Sequence, residues 1–320
     1  MTWEFAYYLL KVNMAFVLFY AFYRLFFYQD TFFKLRRSIL LMFFALSIVY
    51  PLLDLQDLVR EQDAFSHFVD LYSTILPEVV IEPDQHFSVS RYGWIVQAIV
   101  LVYWFVVAFL SVRFLFQLGS IFRLAQRSKR AQVCGVPVYV MPEAAGPFSF
   151  FQMIFIHPER HAEDELDEIL AHERTHASQW HSVDVILCEL VNIVCWFNPF
   201  VWLLKREVRY NLEYLADSRV MKAGFDSKSY QYHLVGLAHH PSTSSLSNNF
   251  NMPYLKSRIL MMNKKRSRGI LRTKYLLFLP LVAILLLLSN MDAVARLMVR
   301  EAKNEVFMVV EQMPEFPGGE

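Results

Sequence analysis

The chain has 320 residues, of which 55% are apolar and 16% aromatic, well above the proportions of an ordinary soluble domain. A formal net charge of +1 excludes the basic field of a nucleic-acid binder, so no direct nucleic-acid contact is expected. Because 19% of residues are still charged, the composition reads as membrane spans joined to a polar domain. Three cysteines, Cys134, Cys188 and Cys195, form no CxxC pair and read as buried thiols without a disulfide framework.

The opening Met-Thr-Trp-Glu offers no basic region, and no small-residue cleavage site follows the first apolar run, so that run is expected to stay in the membrane. It covers about 5–28, with Lys11 and Arg24 read as snorkelling to the two interfaces. A second run covers 38–54 with its flanks and a third 93–118, each near the roughly 20 residues a span requires. Lys34, Arg36 and Arg37 lie between the first two, whereas the 54–92 loop is rich in acids. Arg123, Arg127, Lys129 and Arg130 come after the third span. The positive-inside rule then puts the N-terminus and the acidic loop outside, and the region beyond residue 118 in the cytoplasm.

Within that region "EDELDEILAHERTHASQW" reads as a helix, with acids in its first turn and no Gly or Pro. His172 and His176, four apart, share a face and can point at one ion, and Glu173 flanks that face. Neutral imidazoles hold Zn²⁺, the metal lowers the pKa of a water, and a carboxylate removes its proton; Glu173 would be that base. The competing reading is a surface helix with two solvated histidines, and a third ligand is needed to decide. In "REVRYNLEYLADSRV" (206–220), Glu213 and Asp217 lie four apart on a second helix. Glu213 fits a third ligand and Asp217 fits the partner of a ligand histidine, unless they are a plain exposed acid pair. Residues 241–253 are Ser/Asn-rich and read as a mobile loop. His239, His240, His181, Tyr210 and Tyr214 all remain candidates to stabilise an oxyanion. Six basic residues between 264 and 274 precede "KYLLFLPLVAILLLLSN", the fourth span.

Taken together, "HERTH", "NPF" (198–200), "NLEYLAD" (211–217), "GPFSFFQMIFIHPE" (146–159) and "YLKSRILMM" (254–262) resemble the M56 peptidase family, the BlaR/MecR-type membrane metallopeptidases. HExxH…ExxxD is shared with gluzincins of the Ste24 and HtpX kind. The resemblance implies one Zn²⁺ per chain on His172, His176 and Glu213, with Glu173 as base and Asp217 in support. It also implies a substrate-pairing role for the strand in "FQMIFIHP", through the edge of Met153, Ile154, Phe155 and Ile156; the other reading is a core strand. The fold expected is membrane α-helical: three N-terminal spans within 1–118, a cytoplasmic mainly-α (α+β) gluzincin-like zinc peptidase domain at 119–273, a fourth span at 274–290 and an outer segment at 291–320. That last segment resembles the start of a TonB-type domain.

A shared zinc site forbids residues 183–204 from crossing the membrane, since His172 and Glu213 would then lie on opposite sides. The Asn198-Pro199 break suits a bent helix that dips into the inner leaflet. By resemblance the substrate is a protein or peptide, a BlaI-like repressor, and the setting a bacterial inner membrane with its lipids; self-association is left open. No SxxK-bearing penicillin sensor is recognised. A quality-control protease of the HtpX kind and a non-catalytic membrane scaffold are the alternatives.

Overall fold

The computed structural model describes residues 2–53, 93–142, 146–239 and 245–289. The expected acidic loop at 54–92 and the 291–320 segment that reads as the start of a TonB-type domain lie outside them. Among the described residues four helices are long and apolar enough to cross a membrane: Phe5–Phe26, Phe33–Leu52, Trp94–Arg127 and Gly269–Leu286. The chain divides into two compact units, one of residues up to 12, 46–92 and 275 onward, the other of 13–45 and 93–274.

In the first unit the start of α1 (Thr2–Phe26) meets the end of α2 (Phe33–Val49): the Tyr8 hydroxyl donates to the Ile48 carbonyl at 2.9 Å, and the Tyr50 hydroxyl to the Lys11 carbonyl at 2.6 Å. Its last helix, α9 (Phe278–Ser289), comes after a 3-10 stretch from Gly269 to Leu277.

The second unit holds the peptidase-like part. Helix α3 (Gly93–Arg127) is longer than the expected third span and continues nine residues past 118 without a break. A four-stranded sheet comes next, in the order β1-β2-β4-β3: β1 (Lys129–Val133), β2 (Val136–Val140), β3 (Phe148–Phe150) and β4 (Met153–Ile156). Cys134 and Gly135, at φ 48° and 72°, make the two-residue turn that lets β1 fold back on β2. This turn leaves Cys134 exposed, against the expectation of a buried thiol; Cys188 and Cys195 are buried.

β4 is hydrogen-bonded on both sides, parallel to β2 and antiparallel to β3, and Ile154, Phe155 and Ile156 are buried. The expected exposed edge at Met153–Ile156 is therefore wrong. Alternation identifies a strand but not its place in the sheet; among the described residues the edge strands are β1 and β3, and β3 is the one that lines the cleft.

Helix α4 (Glu163–Ser178) packs Leu166, Ile169 and Leu170 on Val138, Ile154 and Ile156 of the sheet. After it come α5 (His181–Val194) and α6 (Pro199–Lys222), separated by the break foreseen at Asn198-Pro199. The Asn198 side chain caps α6 by accepting from the Phe200 amide at 2.8 Å, and proline at the first helical position loses no hydrogen bond. Val220 of α6 meets Tyr230 and Leu234 of α7 (Ser227–His239) and Leu255 of α8 (Ser245–Met262). α8 occupies most of the stretch that reads as a loop. Ser and Asn propensities are weak against such packing, and Pro253 removes only one amide from the helical ladder.

The α5–α6 pair is stitched to the spans. Asn198 Nδ2 donates to Asn13 Oδ1 at 2.6 Å, and the Tyr103 hydroxyl donates to the Val194 carbonyl at 3.0 Å. Arg37 Nε meets Asp184 Oδ2 at 2.7 Å, while the Tyr23 hydroxyl donates to Glu207 Oε2 at 3.0 Å. Arg36 is fully buried and also bonds Tyr23, so two of the three cations that read as loop charges are partners of this pair.

Candidate metal centre

α4 carries both motif histidines one turn apart, and α6, packed across it, brings Glu213 to the same point. The Nε2 atoms of His172 and His176 are 3.1 Å apart. Glu213 Oε2 lies 3.5 Å from the first and Oε1 3.7 Å from the second. Four-coordinate zinc with arms of about 2.0–2.1 Å has ligand-to-ligand edges of about 3.3–3.4 Å, so the three donors stand close to the corners a zinc ion would need.

The far ring nitrogens are also committed. The Tyr230 hydroxyl lies 2.8 Å from His172 Nδ1 and 2.8 Å from Asp217 Oδ1. Asp217, whose ionisation burial opposes but Arg258 and His172 favour, is held below its usual pKa and can only accept. Tyr230 must therefore donate its proton to Asp217 and accept one from His172 Nδ1. With Nδ1–H so committed, the proton His172 would give up to a metal is the one on Nε2, facing the cluster. Asp217 is thus linked to the histidine mainly through Tyr230, its direct distance to Nδ1 being 3.4 Å.

His176 Nδ1 lies 2.9 Å from His181 Nδ1. Burial, with His176 and Arg37 nearby, lowers the pKa of His181 to about 3, so it is neutral, and ligation through His176 Nε2 would assign it the acceptor role at Nδ1. Burial also lowers the pKa of His176 itself, helped by His172. For His172 burial acts downward too, but Asp217 and Glu213 outweigh it and raise the pKa to about 9. A carboxylate field that holds a proton there suits a divalent cation equally. Burial opposes the charge on Glu213, yet Arg258 and His172 hold its carboxyl well below the usual range. Arg258 of α8 reaches Glu213 Oε2 at 3.0 Å through Nη1 and Asp217 Oδ2 at 2.9 Å through Nε.

These groups line a cleft of about 740 Å³ with Glu173 in its wall. Phe148, Ser149 and Phe150 of β3 form one side and Phe114, Gln117 and Leu118 of α3 another. A sequence model of the family described as BlaR1 peptidase M56 matches residues 80–262, more than half of the chain and all of the segment that builds this cleft. The chain belongs to the M56 peptidase family. No curated protein matches it. Membership makes it a membrane-associated metallopeptidase, with a metal that is generally zinc in this family.

In this M56 peptidase His172, His176, Glu213 and Glu173 come to one cleft, and Asp217 stands behind it against His172 Nδ1. Of the other sequence candidates His181 also lines the cleft but is spent on His176, and Tyr214 lines a different cavity against Arg36. Tyr210 stacks on Tyr254 at 4.9 Å outside the cleft lining, and the side chains of His239 and His240 lie outside those described. Sequence reasoning missed Tyr230, His233, Tyr254 and Arg258. His233 and Tyr254 line the cleft, and His233 Nδ1 lies 2.6 Å from Glu168 Oε2. The i, i+3 spacing of Tyr230 and His233 was the available signal, but it is too common to stand out alone.

Proposed function

We propose that the chain is a membrane-embedded zinc endopeptidase that cleaves a regulatory protein, a BlaI-like repressor being the substrate the family suggests. The observation that carries the reading is the set of three donors at zinc-like separations, each histidine oriented from behind, beside a carboxylate that is not a donor. His172, His176 and Glu213 would hold the ion, which supplies Lewis acidity and an acidified water when bound. Glu173 takes the proton of the attacking water and delivers it to the leaving amine. An extended substrate pairs with the open side of β3, and His233, steadied by Glu168, is the nearest candidate to donate to the developing oxyanion.

The basic flanks place this domain on the cytoplasmic side. Depth marks support a site at the membrane surface. At 1.5 Å per residue, Tyr103 lies about 13 Å along α3 from Trp94 and Phe114 about 30 Å, one hydrocarbon thickness. The α5–α6 turn meets Tyr103 and Asn13, each near the middle of its span, whereas Asp184 meets Arg37 near the start of α2. The pair is therefore a re-entrant hairpin reaching about half-way into the bilayer, consistent with an α5 whose exposed positions, Val183, Leu187, Leu190 and Val194, are all apolar. A cleft walled by Phe114 and Gln117 then lies at the boundary, which favours substrates presented near the membrane and keeps a quality-control role as the second reading.

The test compares wild type with Glu173→Gln for bound zinc and for cleavage of candidate repressors and of a misfolded membrane protein. Zinc retained with cleavage lower by about 10²–10⁴-fold supports the mechanism. Equal cleavage by both proteins would refute it.

A further inference from the structure

A second cavity, of about 410 Å³, lies on the other side of Arg258 from the metal centre and plays no part in the chemistry above. Its walls come from Thr31, Phe32 and Phe33 in the α1–α2 connection, from α6, from the end of α8 and from the chain between 264 and 272. Five of the charged residues lining it are cations, Lys222, Arg258, Lys264, Arg266 and Arg272, against the single acid Asp217. That acid is already bound to Arg258. Among the described residues Lys222, Lys264, Arg266 and Arg272 enter no ion pair, and the Arg272 guanidinium lies over the Phe32 ring at 5.2 Å.

The wall is built rather than incidental. The Ser267 amide donates to Thr31 Oγ1 at 2.8 Å and the Thr31 amide donates back to Ser267 Oγ at 3.2 Å. One step outward, Lys274 Nζ bonds Asp30 Oδ1 at 2.7 Å and the Phe26 carbonyl at 2.6 Å. Chain segments more than two hundred residues apart are thus closed on each other, with cations lining the partly open space beside them. The apolar part of the lining is chiefly Phe32, Phe33, Met221, Met261 and Met262. Two of the apolar spans begin at this place, at Phe33 and at Gly269, which sets the cavity at a membrane boundary.

We propose that this cavity binds the phosphate headgroup of an anionic membrane lipid. A phosphate diester offers the negative charge and acceptor oxygens that the cations and the Ser218 hydroxyl match, and its glycerol and upper acyl carbons suit the phenylalanine and methionine walls. The proposal rests on the membrane reading of the spans and not on catalysis.

The full-length protein in neutral-detergent micelles, carrying a fluorescent phosphatidylglycerol, is challenged with unlabelled short-chain phosphatidylglycerol, phosphatidylcholine or inorganic phosphate. Phosphatidylglycerol is expected to displace the probe at concentrations about tenfold or more below phosphatidylcholine, with inorganic phosphate ineffective over the same range. Lys264→Gln/Arg266→Gln/Arg272→Gln, all at exposed positions, abolishes that preference. Arg123→Gln/Arg127→Gln/Lys129→Gln, which removes equal charge near the end of α3, preserves it. Zinc content, measured in each sample, shows that the variants are folded and reports separately on the metal centre. Three results overturn the proposal: no preference in the wild type, equal loss in both triple variants, or displacement by inorganic phosphate as strong as by lipid.

Discussion

Replacing Tyr230 by phenylalanine removes one oxygen and tests how His172 is held. That hydroxyl is 2.8 Å from both His172 Nδ1 and Asp217 Oδ1, whereas the direct Asp217 contact is 3.4 Å, beyond a good hydrogen bond. Without it, His172 loses its acceptor and the Nδ1–H tautomer loses its advantage. Groups that orient a metal-bound histidine are typically worth 10–100-fold in affinity, about 1.4–2.7 kcal/mol. Asp217→Asn should weaken zinc similarly and also leave buried Arg258 with Glu213 as its one remaining carboxylate, a loss in the class of about 3–5 kcal/mol for broken buried pairs. The assay is zinc titration against a competing chelator in full-length protein, with thermal unfolding of each variant alongside. Tyr230→Phe is expected to lower affinity with a small stability change, Asp217→Asn to lower both. The double variant should bind zinc within about 0.5 kcal/mol of Asp217→Asn, because both changes cut one relay. Wild-type affinity in Tyr230→Phe together with weak binding in Asp217→Asn would refute the relay.

On the other histidine, His181→Ala is expected to lower zinc affinity by about tenfold, and His181→Asn, whose amide oxygen can replace Nδ1 as acceptor, to restore most of it; equal loss in both would argue against orientation of His176. Arg37→Gln leaves buried Asp184 without its partner and should lower the yield of folded protein, with Asp184→Asn recovering it in the double variant. An impermeant maleimide applied to intact cells should leave exposed Cys134 unlabelled and label it after lysis; labelling from outside would reverse the topology. A nitroxide at Val194 in a background lacking the native cysteines should be relaxed by oxygen rather than by a water-soluble nickel chelate, the reverse of one at exposed Tyr232; chelate-dominated relaxation at Val194 would sink the re-entrant hairpin.

Much of the site was legible because the relevant chemistry is local. HExxH sits on one helical face by periodicity, and Glu213 and Asp217 lie on a second helix by the same spacing. Their meeting is tertiary, so each half could be read along the chain while the contact between them could not. Tyr230 and Arg258 were not legible for the same reason: each acts on a donor in another helix, with no local spacing to mark it. Misplacing the substrate edge has a similar origin. The continuous apolar run Met153–Ile156 in "FQMIFIHP" reports burial on both faces of a strand, and such a strand tends to be interior, so a place for β4 between β2 and β3 agrees with the run once burial is weighed above proximity to the motif. Ser and Asn between 241 and 253 misled in the other direction, as weak propensities do when packing of Leu255 decides.

Residues 183–204 show how the same physics decides topology. By length alone this run would cross, and the separation of His172 from Glu213 would then destroy the site. A crossing would also carry Glu189 into hydrocarbon, where translocon scales place a charged residue at about 2.5–3.5 kcal/mol. Folding the run back at Asn198-Pro199 sets Glu189 Oε2 against Lys205 Nζ at 2.7 Å, a pairing that only antiparallel legs allow. Asn198, whose side chain would otherwise be stranded at the turn, bonds Asn13 and the Phe200 amide. The polar groups that forbid a crossing are thus the ones that hold the turn, and the exposed face of α5 is left to Val183, Leu187, Leu190 and Val194. A helix with its charges turned inward and its apolar side chains turned out suits lipid, which supports the proposal that a peptidase site at the open end of this hairpin meets substrates at the membrane boundary.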